Sequence, residues 1–303
     1  MLADVADCRR EVLVSMATSA IAPAMAALVT NPADVAKTRL NMDRELQPAN
    51  APRRYRGILD CWRQTYSSEG VAGLQRGLGF VLVRESSKNA FRIGLYEPTV
   101  AVLQTCRGDS ASVPAPIAVR VVAGMSTGAL SALICNPLDL LKTRLQLEGS
   151  RETASVAMRQ LVAAQGAWTL WRRGALANMC RSAMATGVAL PVNARLKEAA
   201  QGTPAFVRRP ALRDLCAALG SSAITAFVIN PLDLIRTRLY ANNAAYGGGG
   251  VLQCACRIAT IEGPLAFWKG CGAAFLRIGP HQTLTLTLIG MLRRVEARYS
   301  LGT

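Results

Sequence analysis

The chain has 303 residues, of which 51% are hydrophobic and 18% charged, with a formal net charge of +16. This composition is typical of a membrane protein and argues against two soluble domains, although the length alone would allow them. The positive charge lacks the interleaved aromatic and basic residues of a nucleic-acid-binding segment, and instead suits anionic lipids and solutes. Nine cysteines without framework spacing indicate free thiols, and no pattern predicts a metal or a cofactor.

The first apolar stretch, residues 12–30, carries no charge and runs into the phrase Asn-Pro-Ala-Asp-Val-Ala-Lys-Thr-Arg-Leu at residues 31–40. Residues 121–138 and 215–232 are the corresponding uncharged stretches, and closely similar phrases occupy residues 136–145 and 230–239. The prolines of the three phrases lie 105 and then 94 residues apart. We therefore divide the chain into three repeats, residues 1–104, 105–205 and 206–303, within one integral membrane domain.

A second apolar stretch follows in each repeat, at residues 77–98, 174–194 and 270–292, and it carries basic residues. All six stretches are long enough to span the hydrocarbon core of a bilayer. They predict an all-α membrane protein with six transmembrane helices arranged as three pairs. Between the members of a pair, mixed segments such as residues 55–68 and 251–261 are expected to lie at the membrane interface.

Each second stretch opens at a glycine that follows a basic residue, and these glycines are Gly77, Gly174 and Gly270. Backbone N–H groups at the start of a helix bind anions. Tryptophans near two of these glycines, Trp171 and Trp268, suit the depth of lipid headgroups. We therefore expect a membrane-lipid site of the cardiolipin type at each of the three glycines.

The three phrases match Pro-x-[Asp/Glu]-x-x-[Lys/Arg]-x-[Lys/Arg], and each is followed by [Asp/Glu]-Gly-x4-aromatic-[Lys/Arg]-Gly or a variant of it. In these motifs the chain resembles the mitochondrial carrier family over essentially its whole length. The resemblance implies six helices around a central cavity, a multi-pass protein of the mitochondrial inner membrane, transport by alternating access, and a monomer. Residues 73–78, with Gln75 at the aromatic position, and residues 92–98 and 277–281 are similar to the oxaloacetate, dicarboxylate and oxoglutarate carriers.

The seventh residue after each opening glycine is an arginine, and these are Arg84, Arg181 and Arg277. At 1.5 Å per residue each lies about 10 Å along its helix, so the three guanidinium groups share one level. An arginine inside a span costs roughly 2.5–3.5 kcal/mol on insertion scales, so the three need a compensating role. Guanidinium groups bind carboxylates in bidentate fashion, which favours dicarboxylates and keto acids as ligands. Pairing with intramembrane acids is the weaker interpretation, because Glu85 is the only acid nearby.

Lys88 and Arg92 follow Arg84 at four-residue intervals and extend its basic face. Lys88 either binds substrate or lines a wet cavity, whereas Arg92 is a substrate-binding candidate that also suits a scaffold role. His281, the only histidine, lies one turn after Arg277. It either couples transport to protons or packs beside Pro280, and packing is the favoured interpretation.

The resemblance also implies two gates. On the matrix side it pairs Asp34 with Lys142, Asp139 with Arg236, and Asp233 with Lys37. The bracing positions, four residues after each base, hold Asn41, Gln146 and Tyr240, of which Gln146 and Tyr240 match the family pattern. On the cytoplasmic side the pattern is degraded, and at most one pair, Glu97 with Lys197, is expected. This imbalance predicts a resting state open to the cytoplasm.

Together these features predict an antiporter of small di- or keto-carboxylates of the oxaloacetate, malate, malonate or oxoglutarate type. A carrier of inorganic anions such as sulfate or thiosulfate is the nearest alternative, since three arginines would accept those ions too. A non-transporting membrane receptor derived from a carrier is a further alternative. An enzyme is not expected, because the sequence offers no nucleophile–base pair, metal cluster or phosphate loop.

Overall fold

The structure, a computed structural model, describes residues 2–48, 52–108, 115–147, 154–201, 210–242, 244–246 and 250–300. Within these ranges every regular element is helical and no strand occurs. Two short 3₁₀ helices, Ala244–Tyr246 and Pro264–Trp268, accompany the α-helices. In chain order the α-helices are α1 (Leu2–Met42), α2 (Ile58–Leu74), α3 (Leu78–Gly94), α4 (Tyr96–Arg107), α5 (Ile117–Ile134), α6 (Asn136–Gln146), α7 (Ala154–Gln165), α8 (Thr169–Arg172), α9 (Ala175–Gln201), α10 (Pro210–Asn242), α11 (Val251–Ile261) and α12 (Cys271–Ser300).

Six long rods form a closed ring. α4 continues α3 after the single residue Leu95, and α6 continues α5 after Cys135, so each of these pairs is one bent rod. α1 packs between α12 and α3, α5 packs between α3 and α9, and α10 packs between α9 and α12. The prediction of an all-α fold built from three helix pairs is confirmed. The exact limits of the repeats stay a prediction, since residue 104 lies within α4 and residue 205 lies outside the described residues.

Polar and apolar side chains are distributed in the opposite way to a soluble protein. Large apolar side chains face outward, with Val29 69% and Ile117 68% exposed. Charged side chains lie inside, with Arg84 4% and Asp139 1% exposed. An apolar outer surface around a charged interior is the arrangement that a lipid bilayer requires of a protein enclosing a polar cavity.

Of the helices in the described ranges, two are long and apolar enough to cross a membrane by composition alone, Ile117–Ile134 and Leu212–Asn242. The sequence predicts six spans. α3 illustrates why the remaining rods fail a test of composition, because Arg84, Lys88 and Arg92 all lie on this one helix. These residues line the interior, so they lower the mean hydropathy of the helix without meeting lipid.

In each repeat, the signature asparagine or proline links its helix to the segment that precedes the second helix of the repeat. Pro32 has no N–H, so the carbonyl of Leu28 loses its helical donor. The side chain of Gln75 supplies it, with Nε2 3.2 Å from the Leu28 oxygen, and Gln75 Oε1 accepts a hydrogen bond from Asn31 Nδ2 at 3.1 Å. Asn136 and Asn230 make the equivalent link through backbone carbonyls, donating to Leu170 at 2.8 Å and to Phe267 at 2.7 Å.

Candidate functional site

A cavity of about 410 Å³ lies at the centre of the ring. Its wall comes from α3, α9, α10 and α12, with Pro23 of α1. All five residues that the sequence analysis proposed for substrate binding line it, namely Arg84, Lys88, Arg92, Arg181 and Arg277. Each of the three arginines lies two turns into its helix, because α3, α9 and α12 begin directly after Gly77, Gly174 and Gly270.

Two of the three arginines are already paired with carboxylates. Arg84 donates from Nε to Asp139 Oδ1 and from Nη1 to Glu85 Oε1. Arg277 Nε pairs with Asp34 Oδ1, and its Nη2 lies 3.7 Å from Glu85 Oε1.

The expectation that Glu85 is the only acid near the arginines is therefore wrong. The signature aspartates, which the sequence analysis placed in a separate gate, reach the same level. They do so from α1, α6 and α10, each of which carries one signature aspartate in contact with an arginine of a second helix.

The third arginine, Arg181, is held more loosely. Its Nε lies 3.5 Å from Asp233 Oδ1, too far and too poorly aligned for a hydrogen bond, and it has no hydrogen-bond partner among the described residues. The side chain is nevertheless 91% buried. A buried guanidinium nitrogen without an acceptor is costly unless a ligand completes it.

Directly below the arginines lie the three ion pairs that the sequence analysis proposed as a gate. Lys142 Nζ is 2.7 Å from Asp34 Oδ2, and Lys37 Nζ is 2.5 Å from Asp233 Oδ2. The third pair is looser, with Arg236 Nη1 3.5 Å from Asp139 Oδ1. Each pair joins neighbouring repeats, so together they draw one end of the ring closed.

Each signature aspartate contacts cations from both of the other repeats. One partner is the first base of the signature phrase in the next repeat. The other partner is the cavity arginine (Arg84, Arg181 or Arg277) of the previous repeat, and the third repeat is followed by the first. Thus Asp34 of the first repeat contacts Lys142 of the second and Arg277 of the third. The cavity and the closed end share their carboxylates, so a ligand that engages the arginines competes with the ion pairs that close the ring.

The cavity and the ion pairs beneath it carry an excess of positive charge. Eight cationic side chains face four carboxylates, so the described part of this group carries a net charge of +4. Lys88 and Arg92 have no hydrogen-bond or ion-pair partner among the described residues, although Lys88 is only 9% exposed. A buried lysine without a partner is unfavourable, so these cations favour the binding of an anion in the cavity. The cations are Lys37, Arg84, Lys88, Arg92, Lys142, Arg181, Arg236 and Arg277, and the acids are Asp34, Glu85, Asp139 and Asp233.

The bracing positions pack against the glycines that open the second helix of each pair. Tyr240 donates from its hydroxyl to Asn136 Oδ1 at 2.5 Å, and the Arg236 guanidinium lies 5.6 Å from the centre of its ring. Gln146 accepts at Oε1 from the hydroxyl of Thr38 at 3.1 Å. Each of the two side chains therefore binds a residue of a neighbouring repeat, and their role as braces stays a prediction.

At the other end of the ring the Glu97–Lys197 pair stays a prediction. Lys197 Nζ lies 3.3 Å from Asp214 Oδ1 and is not paired with Glu97, which is exposed. Asp214 belongs to the first turns of α10. With the opposite end held by three ion pairs, the structure does not bring Glu97 and Lys197 together.

His281 also lines the cavity, one turn above Arg277. Its Nδ1 lies 3.2 Å from Thr30 Oγ1, and the Thr30 hydroxyl is also within 3.1 Å of the Ala26 carbonyl. A hydroxyl has one proton to donate, so donation to Ala26 requires His281 Nδ1–H as the donor to Thr30. This arrangement leaves Nε2 without the proton in a neutral ring.

The second base of each signature phrase has a role that the sequence analysis missed. Arg39 donates to the carbonyl of Gln146 at 3.4 Å, and Arg238 donates to that of Asn41 at 2.8 Å, so each caps the end of the neighbouring signature helix. Arg238 also binds Glu262, with Nη1 2.5 Å from Oε1. The Glu-Gly motif at Glu262 can be recognised in the sequence, but its pairing with Arg238, 24 residues earlier, cannot.

We expect the Arg238–Glu262 contact, whose carboxylate lies outside the spanning helices, to stabilise the protein only above acidic pH. Burial raises the pKa of Glu262, but hydrogen bonds from Arg238 and Lys269 outweigh burial and hold that pKa below its usual 4.5. A lowered folded-state pKa stabilises the fold above 4.5, and the contribution disappears as the pH falls through the folded value. The melting temperature of Glu262→Gln should therefore lie below wild type at neutral pH and approach it in acid. A difference that does not depend on pH would contradict this account.

A pocket of about 400 Å³ adjoins one of the three predicted lipid sites, at Gly270. Arg44, Arg56, Lys269 and Trp268 contribute to its wall, so it combines positive charge with an aromatic ring.

The comparisons with known proteins agree with this architecture. A family model described as "Mitochondrial carrier protein" matches residues 9–106, 113–203 and 207–299, which is one match for each repeat. The chain is 31% identical over 295 residues to the mitochondrial brown fat uncoupling protein 1 of Canis lupus familiaris, covering 93% of this chain and 91% of that protein. It is 30% identical over 293 residues to the mitochondrial citrate transporter E of Aspergillus niger, with 92% and 93% covered.

A third relative is the mitochondrial substrate carrier family protein ucpA of Dictyostelium discoideum, 28% identical over 291 residues with 92% of each chain covered. The names of these three relatives do not point specifically to the oxaloacetate and dicarboxylate branch that segments 73–78, 92–98 and 277–281 suggested.

Proposed function

Because the chain belongs to the mitochondrial carrier family, whose members are solute transporters, we propose that it exchanges small di- or keto-carboxylates across the mitochondrial inner membrane by alternating access. The observation that carries this proposal is the excess positive charge in the central cavity, where Lys88 and Arg92 have no partner among the described residues and Arg181 is only loosely paired with Asp233. The relatives' names include uncoupling proteins and a citrate transporter, so they do not by themselves select the substrate.

The arrangement of charges supports a sequence of binding steps. An entering anion first meets Arg92 and Lys88, which lack protein partners in the described part of the chain, and then Arg181. Its second carboxylate reaches Arg84 and Arg277, where it competes with Asp139 and Asp34. Each aspartate that loses an arginine keeps only one strong cation below it, and the ion pairs closing the matrix side weaken. Binding energy is thereby converted into opening of the gate.

The gates and the lipid sites belong to the same proposal. We assign Asp34, Lys37, Asp139, Lys142, Asp233 and Arg236 to the matrix gate, with Gln146 and Tyr240 as its braces. The pocket beside Gly270 suits the phosphates of a lipid headgroup, because Arg44, Arg56 and Lys269 surround it.

The proposal is tested with the purified protein in liposomes preloaded with malate. We would measure uptake of labelled oxaloacetate, malonate, oxoglutarate, malate, sulfate and ATP. We expect saturable uptake of at least one dicarboxylate or keto acid, and a reduction of at least about tenfold in Arg181→Ala and Lys88→Ala, since a hydrogen bond to a charged group is worth roughly 1.5–3 kcal/mol. Arg257→Ala is the matched control, because Arg257 is exposed on α11.

Each of the other outcomes would assign a different function to the protein. Uptake of sulfate without any carboxylate would make the chain an inorganic anion carrier, and uptake of ATP alone would show that the cavity cations serve a nucleotide. No uptake of any solute, in protein with a normal melting transition, would favour a non-transporting receptor. Equal uptake by the Arg181→Ala and wild-type proteins would exclude the cavity described above as the binding site.

A further inference from the structure

Among the described residues that line the cavity, Glu85 is the only acid. It lies on α3 next to Arg84 and is 7% exposed. Oε1 accepts a hydrogen bond from Arg84 Nη1 and lies 3.7 Å from Arg277 Nη2. One carboxylate oxygen of the protein therefore stands between two of the three cavity arginines, where a carboxylate of a ligand would otherwise bind.

The opposite side of the cavity has no such carboxylate. Arg181 Nε lies 3.5 Å from Asp233 Oδ1 without a hydrogen bond, and Lys88 and Arg92 have no partner in the described part of the chain. Asp233 is shared, because its Oδ2 is held by Lys37 at 2.5 Å. The cavity is thus asymmetric, with unpaired or loosely paired cations on the Arg181 side and with Glu85 as an additional carboxylate on the side of Arg84 and Arg277.

We propose that Glu85 is a resident counter-anion that limits the transported ligand to two carboxylates. A dicarboxylate places one group on the cations of the Arg181 side and brings only the other beside Glu85, whereas a tricarboxylate must bring a further carboxylate to the side that Glu85 already occupies. Two carboxylates held close together repel each other, and in a buried site water screens that repulsion poorly. Glu85 is in this view a specificity-determining residue. The inference rests on the proposed function and adds the charge limit of the substrate to it.

The Glu85→Gln substitution tests the inference, because it keeps the size of the side chain and removes its charge. Malate and citrate are the matched probes, since each carries one hydroxyl and they differ by one carboxylate arm. At mildly alkaline pH we expect the wild type to prefer malate, and Glu85→Gln to raise the citrate-to-malate ratio of kcat/KM by about tenfold or more, equivalent to about 1.4 kcal/mol. Glu198→Gln, at an exposed glutamate of α9, is the matched control and should leave the ratio unchanged.

A structural role for Glu85 would alter transport of both probes by the same factor, so an unchanged ratio in active Glu85→Gln protein would overturn the inference. If the variant folds but does not complete exchange, ligand-induced shifts in melting temperature give the same comparison at equilibrium. The inference is supported if the ratio of the citrate-induced shift to the malate-induced shift is larger in the variant than in the wild type. An unchanged ratio overturns it. If the wild type itself transports neither probe, the proposed function fails first, so the two failures are distinguishable.

Discussion

Replacing Asp233 with asparagine is expected to destabilise the protein strongly and to abolish exchange. Asp233 is fully buried, with Lys37 Nζ at 2.5 Å from Oδ2 and with Arg181 Nε and Arg236 Nη2 both at 3.5 Å from Oδ1. A neutral amide would leave three cations facing one another, of which Lys37 and Arg181 are buried. Removing one partner of a buried ion pair costs about 3–5 kcal/mol, and at about 2–4 °C per kcal/mol the melting temperature should fall by about 10 °C.

The matched control is Asp214→Asn. Asp214 also pairs with a lysine, at 3.3 Å from Lys197, but its side chain is 48% exposed. An exposed pair contributes roughly 0–1 kcal/mol, so this variant should melt within a few degrees of the wild type. Thermal unfolding of both variants in the same detergent compares them directly. Equal and small effects would show that burial of the Asp233 contacts does not govern stability.

A charge swap separates a shared aspartate from a simple ion pair. If Asp233 served Lys37 alone, combining Lys37→Asp with Asp233→Lys would restore both the attraction and the melting temperature. In the structure a lysine at position 233 would also face Arg181 and Arg236, so we expect the double variant to remain destabilised. A double variant that melts like the wild type would mean that the aspartates are not shared between the gate and the cavity.

The sequence predicted the fold well because the information is repeated. Three copies of one phrase locate the bends, and counting seven residues from each opening glycine finds Arg84, Arg181 and Arg277 at one level of the cavity. Each of these inferences needs only spacing within one helix pair, which the periodicity of the α-helix converts into position.

The contacts between the predicted groups could not be obtained in this way. The pairing of Arg277 with Asp34 joins residues 243 positions apart, on helices whose bends decide whether the two side chains meet. Likewise, Lys197 pairs with Asp214 because α10 starts beside the end of α9, which the degraded motif did not show. The sequence assigned the arginines and the aspartates to separate sites, because their separation along the chain conceals the contact that the structure shows between them.

The glycines that open the second helices are expected to tolerate alanine unequally, and Gly174→Ala should be the most harmful substitution of a graded series. Gly174 has φ +63°, a left-handed conformation that costs an L-residue roughly 1–2 kcal/mol. A Cβ there would also lie 2.7 Å from Tyr240 Cε1. Tyr240 is held by its hydrogen bond to Asn136 and by Arg236 over its ring, so it cannot move aside without disturbing the Asp139–Arg236 pair.

Two other glycines separate the backbone cost of the substitution from the cost of the steric contact. Gly77 has φ +72°, but its Cβ would meet nothing closer than Gln146 Cγ at 3.5 Å, so Gly77→Ala should show the backbone cost alone, about 1–2 kcal/mol. Gly79 lies within α3 with open space around it, and Gly79→Ala should be neutral or slightly stabilising. Gly174→Ala adds overpacking of about 1–3 kcal/mol to the backbone cost. Melting temperatures should therefore fall in the order Gly79→Ala, Gly77→Ala, Gly174→Ala. Equal losses at Gly77 and Gly174 would show that contact with the brace does not matter and that the glycines serve the backbone alone.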